Sequence, residues 1–410
     1  MYAATCYVCR MTKPRVAPDL VVIVAGVCAA LHVGKLPPAL PVLHEALGIT
    51  LVQSGFLLSI VQLAGMSAGV LFGLMADRVG SRRCILIGLW ILAAASGAGG
   101  FATDASSLMA LRGVEGVGFL MAVLPVPALL RSLVDPTHLK AKLGVWAAFM
   151  PTGTALALLC GPWVMRFMGW QGWWWTLALL TAAMAIWIRA AVAPDRAHGS
   201  EPETSATGTL DRLRTTLTSA GPWLVALTFA MYSCQWMSVI GFLPSIYAQS
   251  GLSVPVAGAL TALVAAANAA GNVGAGRWLH AGARPQRLLF TGFATMAICA
   301  VVAFGFASAP LALRFAAVLL LSGVGGLIPG ALFSVAVMFA PGPRTVSTTV
   351  GWMQQLSAAG QFAGPPIVAW VASIAGGWQL TWTVTGGASL VGIALAAMIG
   401  SVDRRRAAGP

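Results

Sequence analysis

Twelve apolar stretches, each about the length that crosses a bilayer as a helix, follow one another along this chain and leave little room for anything else. A helix rises about 1.5 Å per residue, so about 20 residues cross the hydrocarbon core. The stretches run over 18–41, 52–75, 84–102, 106–130, 143–166, 171–190, 221–245, 254–276, 287–306, 311–338, 346–372 and 378–400, and are named spans 1 to 12 in that order. Inside lipid a backbone finds no water, so each span must satisfy its own N–H and C=O groups as a helix. The expected fold class is an all-α membrane protein of twelve transmembrane helices. Composition agrees: 58% of the 410 residues are hydrophobic and 9% are charged, whereas soluble domains carry about 25% charged residues.

The basic residues fix the topology. Of the 24 lysines and arginines, all but Lys35, Arg112, Arg166 and Arg314 fall in the tails or in alternate loops, which places them on one side. Basic loops stay cytoplasmic, so both termini are expected in the cytoplasm. The net charge of +13 therefore reports topology, and nucleic acid is not an expected partner. Cys6 and Cys9 form a C-x-x-C in the N-terminal tail. Two further ligands would be needed to hold a metal, and none stands nearby; no metal or cofactor is expected. The first span runs on beyond the length of a signal-peptide core, so it reads as a retained helix.

The halves repeat. An offset of 203 pairs Pro41 with Pro244, Gly48 with Gly251, Gly55 with Gly258 and Gly73 with Gly276; an offset of 207 pairs Gly116 with Gly323 and Gly153 with Gly360. Gly169-Trp170-Gln171 returns as Gly377-Trp378-Gln379. Duplicated bundles are a transporter architecture with the solute near the midplane between them. The expected organisation is a tail at 1–17, a six-helix bundle at 18–190, a polar linker at 191–220, a second bundle at 221–400 and a tail at 401–410.

The loop Gly73-Leu74-Met75-Ala76-Asp77-Arg78-Val79-Gly80-Ser81-Arg82-Arg83 joins spans 2 and 3. Its plain reading is a positively charged turn. The pattern G-x-x-x-D-R-x-G-x-R-R closely resembles the signature loop between helices 2 and 3 of the major facilitator superfamily. Arg112-Gly113-Val114-Glu115-Gly116-Val117-Gly118 resembles that superfamily's helix 4 motif, with Glu115 in place of the usual glutamine. Pro151-Thr152-Gly153 and Gly161-Pro162 loosely resemble its helix 5 motif. The region His32–Pro37, with Gly48-Ile49-Thr50 and Gly55–Ser59, resembles the cyanate and nitroimidazole permease branch. The resemblance implies two pseudo-symmetric six-helix bundles that rock about a central cavity lined by spans 1, 4, 7 and 10. It also implies a conformational gate at Gly73, Asp77, Arg78, Gly80, Arg82 and Arg83, with Asp77 latching onto span 11.

Charges inside a bilayer need a reason. His32 and Lys35 share a face of span 1, and Arg112 and Glu115 share a face of span 4. Lys35, with His32 and Arg112, is a candidate for attracting an anion; the alternative is a lysine snorkelling outward from a helix ended by Pro37, Pro38 and Pro41. Arg112 and Glu115 read as an ion pair. Glu115, Arg112 and His32 are the candidate proton-coupling groups. The second half offers Gln235, Trp236, Trp352 and Gln355 as further substrate-binding candidates, beside the amides Asn268, Asn272, Gln354 and Gln361. The cluster Trp170, Trp173, Trp174 and Trp175 is expected in the interfacial belt.

These features predict a monomeric secondary transporter of the bacterial inner membrane, not an enzyme, that takes up a small anion by alternating access with protons as the coupling ion. No nucleotide-binding loop G-x-x-x-x-G-K-[ST] is present to supply another energy source. A proton-coupled exporter of drugs or metabolites is the alternative within transport, and a non-transporting membrane sensor on the same fold is the alternative outside it.

Overall fold

The structure is a computed structural model that describes residues 16–195, 206–306, 308–342 and 345–407, without the side chains at 70, 71, 73–78, 140, 141, 206–209 and 405–407. The tail with Cys6 and Cys9, and the side chains of Gly73, Asp77 and Arg78, lie outside the described residues.

Among the described residues, eleven continuous helical stretches are long and apolar enough to cross a membrane. One of them, Pro136–Ala191, is two spans. Gly169 sits inside it at φ 69° and ψ 178°, a backbone conformation that glycine adopts without a Cβ penalty. The chain doubles back there: a Cβ on Gly161 would touch the ring of Trp173 at 3.4 Å. Divided at Gly169, the stretch yields spans 5 and 6 and brings the total to twelve. The twelve-span, all-helical architecture is thus present as the sequence predicts.

Several spans are interrupted. Span 1 runs as Pro18–Gly34 and Leu36–Leu47, broken at Lys35. The prolines expected to end it do not. Pro37 and Pro38 occupy the first turn of the second segment, where a missing N–H leaves no bond unmade. The helix continues through Pro41 and stops at left-handed Gly48 (φ 61°). Span 2 starts at a reciprocal cap between Thr50 and Gln53 and runs Leu51–Ser59. It tightens into a 3₁₀ turn at Ile60–Gln62, resumes as Leu63–Val79, and is non-helical at Ala68 (φ −139°, ψ 16°). Span 4 comprises Ala105–Val123 and Val126–Leu133. Span 11, Val346–Ala375, carries Pro365 and Pro366 inside the helix.

Spans 2 and 11, and spans 5 and 8, form the two main seams between the halves, and small residues bring the backbones together there. In the seam of spans 2 and 11, a Cβ on Gly55 would lie 2.8 Å from Pro366 Cα. In the seam of spans 5 and 8, a Cβ on Gly258 would lie 2.6 Å from Leu158 O. Between the halves runs a helix at Ala206–Thr218, held to span 11 by Thr216 and Thr348 at 2.6 Å.

Candidate functional site

Lys35 falls at the junction of the two segments of span 1, with its backbone still helical (φ −68°, ψ −29°). Lys35 projects into the interior of the first half, and its exposure is 0%. Its Nζ pairs with Glu115 Oε1, donates to Ser96 Oγ of span 3 at 3.0 Å and lies 4.6 Å from the ring centroid of Trp174 of span 6. The snorkelling alternative therefore does not hold: the ammonium is enclosed by four spans. Glu115 shares its other oxygen with Arg112, Nη1 to Oε2 at 2.5 Å. The same Nη1 donates to His32 O at 2.7 Å, and Arg112 Nε reaches Leu57 O of span 2 at 3.5 Å. Arg112 Nη2 is buried with no partner among the described residues.

Formal charge in this cluster does not balance. Two cations share one carboxylate, all three at 1% exposure or less. A buried pair tolerates the loss of water only when its charges and hydrogen bonds are met. Counted as ionised groups, the cluster carries more positive than negative formal charge, and its pull on an anion is strengthened by the low dielectric around it. The expected ion pair of Arg112 and Glu115 is present. The link from Lys35 on span 1 to Glu115 on span 4 was not anticipated.

His32 adds no charge partner. Thr181 of span 6 donates its hydroxyl to Leu177 O at 2.8 Å, so His32 Nε2–H donates to Thr181 Oγ1 at 2.7 Å. His32 Nδ1 is left buried without a partner. Gln235, the counterpart of His32, repeats the arrangement: Ser389 Oγ of span 12 donates to Gln235 Oε1 at 2.7 Å, and Gln235 Nε2 donates to Met231 O at 2.9 Å. Both side chains thus turn into their own bundles, and in this state Gln235 faces span 12 and not the space between the halves. Trp236 beside it is buried with its indole N–H unpartnered. Trp352 lies within two turns of the start of span 11, edge-on to Trp223 at 4.9 Å. Gln355 crosses between the halves and donates to Met66 O at 2.9 Å.

The belt expected from the tryptophan cluster is not what forms. Trp170, Trp173 and Trp174 are buried. Trp173 Nε1 donates to Lys35 O at 3.2 Å, and Trp170 packs edge-on against Trp174. The turn at Gly169 folds them back under span 1, where they wall in the lysine.

Of the gate residues, Gly80, Arg82 and Arg83 are described, and they meet a partner that sequence reasoning missed. Asp195, just beyond span 6, accepts from the N–H groups of Arg82 and Arg83 at 3.1 Å each. It thereby caps span 3 from outside the helix. Arg82 Nη2 donates to Arg189 O at 2.9 Å. Gly80 (φ 96°) lies against Asp195, and a Cβ there would strike the carboxylate. The Pro194-Asp195 pair was visible in the sequence, but nothing in it points to a helix 112 residues earlier.

Gln62 was also missed. It sits on the 3₁₀ turn of span 2 and donates Nε2–H to Gln361 Oε1 of span 11 at 3.0 Å. Asn268, in contrast, is satisfied within the second half by Tyr232 and Ser322 O. A cavity of about 350 Å³ opens at the basic face, lined by residues that include Ser219, Gly221, Phe339 and Val402, remote from these charges.

The Major Facilitator Superfamily profile matches residues 22–354 and 225–410. The cyanate transport protein CynX of Escherichia coli (strain K12) is 26% identical over 261 residues, 62% of this chain and 64% of that protein, so less than two thirds of that relative's length is spanned. A gallate transporter of Pseudomonas putida is 25% identical over 382 residues, 84% of this chain and 83% of that one. The fold matches a bacterial homologue of the human lysosomal transporter Spinster, in an inward-facing and occupied conformation, with a TM-score of 0.76 at 15% identity over 94% of this chain and 96% of that one. Twelve spans in two repeated halves, the signature loop at 73–83 and a family profile that covers the chain make this protein a member of the Major Facilitator Superfamily of membrane transporters.

Proposed function

We propose that this transporter carries a small anionic solute inward across the bacterial inner membrane, as a monomer, by alternating access coupled to protons. The observation that carries the reading is the charge count at its centre. Lys35 and Arg112 share the single carboxylate of Glu115, with no water access. A site that will take up an anion needs such a surplus, and one that exports hydrophobic cations needs the reverse. The basic face is the cytoplasmic one, by the distribution of lysine and arginine. Glu115, held between two cations, is the group through which a proton would change the charge of the cluster, with Arg112 and His32 as its neighbours. Lys35 acts through its field from inside the bundle, because its ammonium does not reach the space between the halves. Asp77, Arg78 and Gly73 form the gate with Gly80, Arg82 and Arg83, and Asp77 engages span 11 when that side is closed.

Cyanate and gallate, named for two relatives, are the first anions to offer. Purified protein in liposomes should accumulate one of them when the outside is made acidic, and the uptake should collapse with a protonophore. Accumulation of organic cations in their place, or anion uptake indifferent to the pH gradient, would overturn the anion or the proton part of the reading respectively.

A further inference from the structure

The charged cluster belongs to the first half alone. A transporter that closes around its solute needs groups from both halves, and they are found where spans 2 and 11 cross. Gln361 lies midway along the 30 residues of span 11, at the depth where the two bundles of such a fold hold their solute. Its amide accepts from Gln62 and donates to Ser357 Oγ at 3.3 Å, and Ser357 in turn meets Ser233 of span 7 at 2.6 Å. Side-chain hydrogen bonds that cross between the spans of the two halves, among the described residues, come from Gln62 to Gln361 and from Gln355 to Met66 O.

Both helices are irregular at this level. Span 2 narrows to its 3₁₀ turn at Ile60–Gln62, a feature that in mid-helix marks hinges and sites. In span 11, Pro365 has no N–H to give the carbonyl four residues earlier, which is that of Gln361. The turn also leans on the charged cluster. Val61 O packs against Gly116, next to Glu115, and Arg112 holds Leu57 O one turn earlier.

A buried amide must be bonded to something. When the halves part, Gln62 and Gln361 lose each other and face the opened space with one NH2 donor and one carbonyl each. We propose that Gln62 and Gln361 form the hydrogen-bonding clamp of the solute site, and that the carboxylate edge of a small planar acid takes the place of the bond between them. Each half then keeps a hydrogen bond in the closed, loaded state, and the surplus charge beside Gln62 favours the carboxylate. This rests on the anion reading above and adds to it the residues that grip the anion and its planar, bidentate form.

The test uses full-length protein and two probes, gallate and benzoate. Thermal shift measures binding to the wild type and to Gln62→Leu and Gln361→Leu. In parallel, Gln361→Cys and Gln62→Cys are labelled in liposomes with a water-soluble methanethiosulfonate, and the modified position is read by mass spectrometry. The expected results are that both cysteines react as the protein cycles, that a bound probe slows their labelling at least about fivefold, and that either leucine variant binds about tenfold more weakly. If the probes bind the wild type but neither protect the cysteines nor lose affinity in the leucine variants, the clamp is overturned and the anion reading stands. If neither probe binds the wild type, the clamp as proposed is overturned too, and uptake of cyanate in the same liposomes decides separately whether the anion reading survives.

Discussion

The unequal sharing of Glu115 makes an ordered prediction for three substitutions. Glu115→Gln leaves Lys35 and Arg112, both at 1% exposure or less, without a counter-charge. Removing one partner from a buried ion pair costs about 3–5 kcal/mol, and here the removed partner served two cations. For a six-helix half that unfolds as a unit, each kcal/mol is worth about 2–4 °C, so the melting temperature should fall by about 10 °C. Lys35→Met is different in kind. It loses the pairing with Glu115 Oε1, a hydrogen bond to Ser96 and a cation–π contact with Trp174, the last two worth about 1 kcal/mol each. It also restores a one-to-one pair of Arg112 and Glu115, and methionine fills the volume. The two effects offset, and the shift should stay within about 3 °C. Arg112→Met balances the charge as well, but strips donors from His32 O and Leu57 O, so it should fall between the other two. Thermal unfolding of the purified variants, followed by tryptophan fluorescence, measures the order. A Lys35→Met protein as unstable as Glu115→Gln would refute the claim that the cluster carries surplus positive charge.

Glu115→Gln should also uncouple solute uptake from an imposed pH gradient while solute exchange persists; accumulation that still follows the gradient would place the proton elsewhere. Asp195→Ala removes the acceptor for the N–H groups of Arg82 and Arg83, at about 1–2 kcal/mol for a lost cap, so hydrogen exchange at those two amides should accelerate at least about fivefold, with an unchanged rate excluding the cap. Gly258→Leu puts a side chain where even a Cβ stands 2.6 Å from Leu158 O. Spans 5 and 8 then cannot close, and uptake should stop while each half keeps its helix content by circular dichroism.

Much of the fold was legible because lipid allows few alternatives. A backbone that must bond to itself makes each apolar run a helix, and the side on which arginines fall counts the crossings. Helical spacing also put His32 with Lys35 and Arg112 with Glu115. It could not show which neighbour each face meets, so the sharing of Glu115 between spans 1 and 4 stayed hidden. The proline run after Lys35 misled for a related reason. Proline breaks a helix that is already under way and starts one that is not, and only the break at Lys35 decides which applies. The tryptophans at the start of span 6 looked interfacial by position, and the turn at Gly169 carries them inside. Gln62 had no signal of its own, since its partner lies 299 residues away.

The repeat extends from sequence to interactions, and that shows where the halves part ways. His32 bonds Thr181 of span 6, and Gln235 bonds Ser389 of span 12, each at 2.7 Å, so spans 1 and 6 are fastened as spans 7 and 12 are. Around that common fastening the contents differ. The first half holds Lys35, Arg112 and Glu115; the second, among its described residues, holds Tyr232 with Asn268, and Ser233 with Ser357. A duplicated frame that kept its seams and its internal bonds, yet placed this fully buried charged cluster in one half only, is suited to separate two tasks. The first half sets the field that a solute feels. On the proposed reading the second would meet that field across spans 2 and 11 with neutral amides and hydroxyls, which can hydrogen-bond an anion without adding charge to the desolvation cost of closing around it.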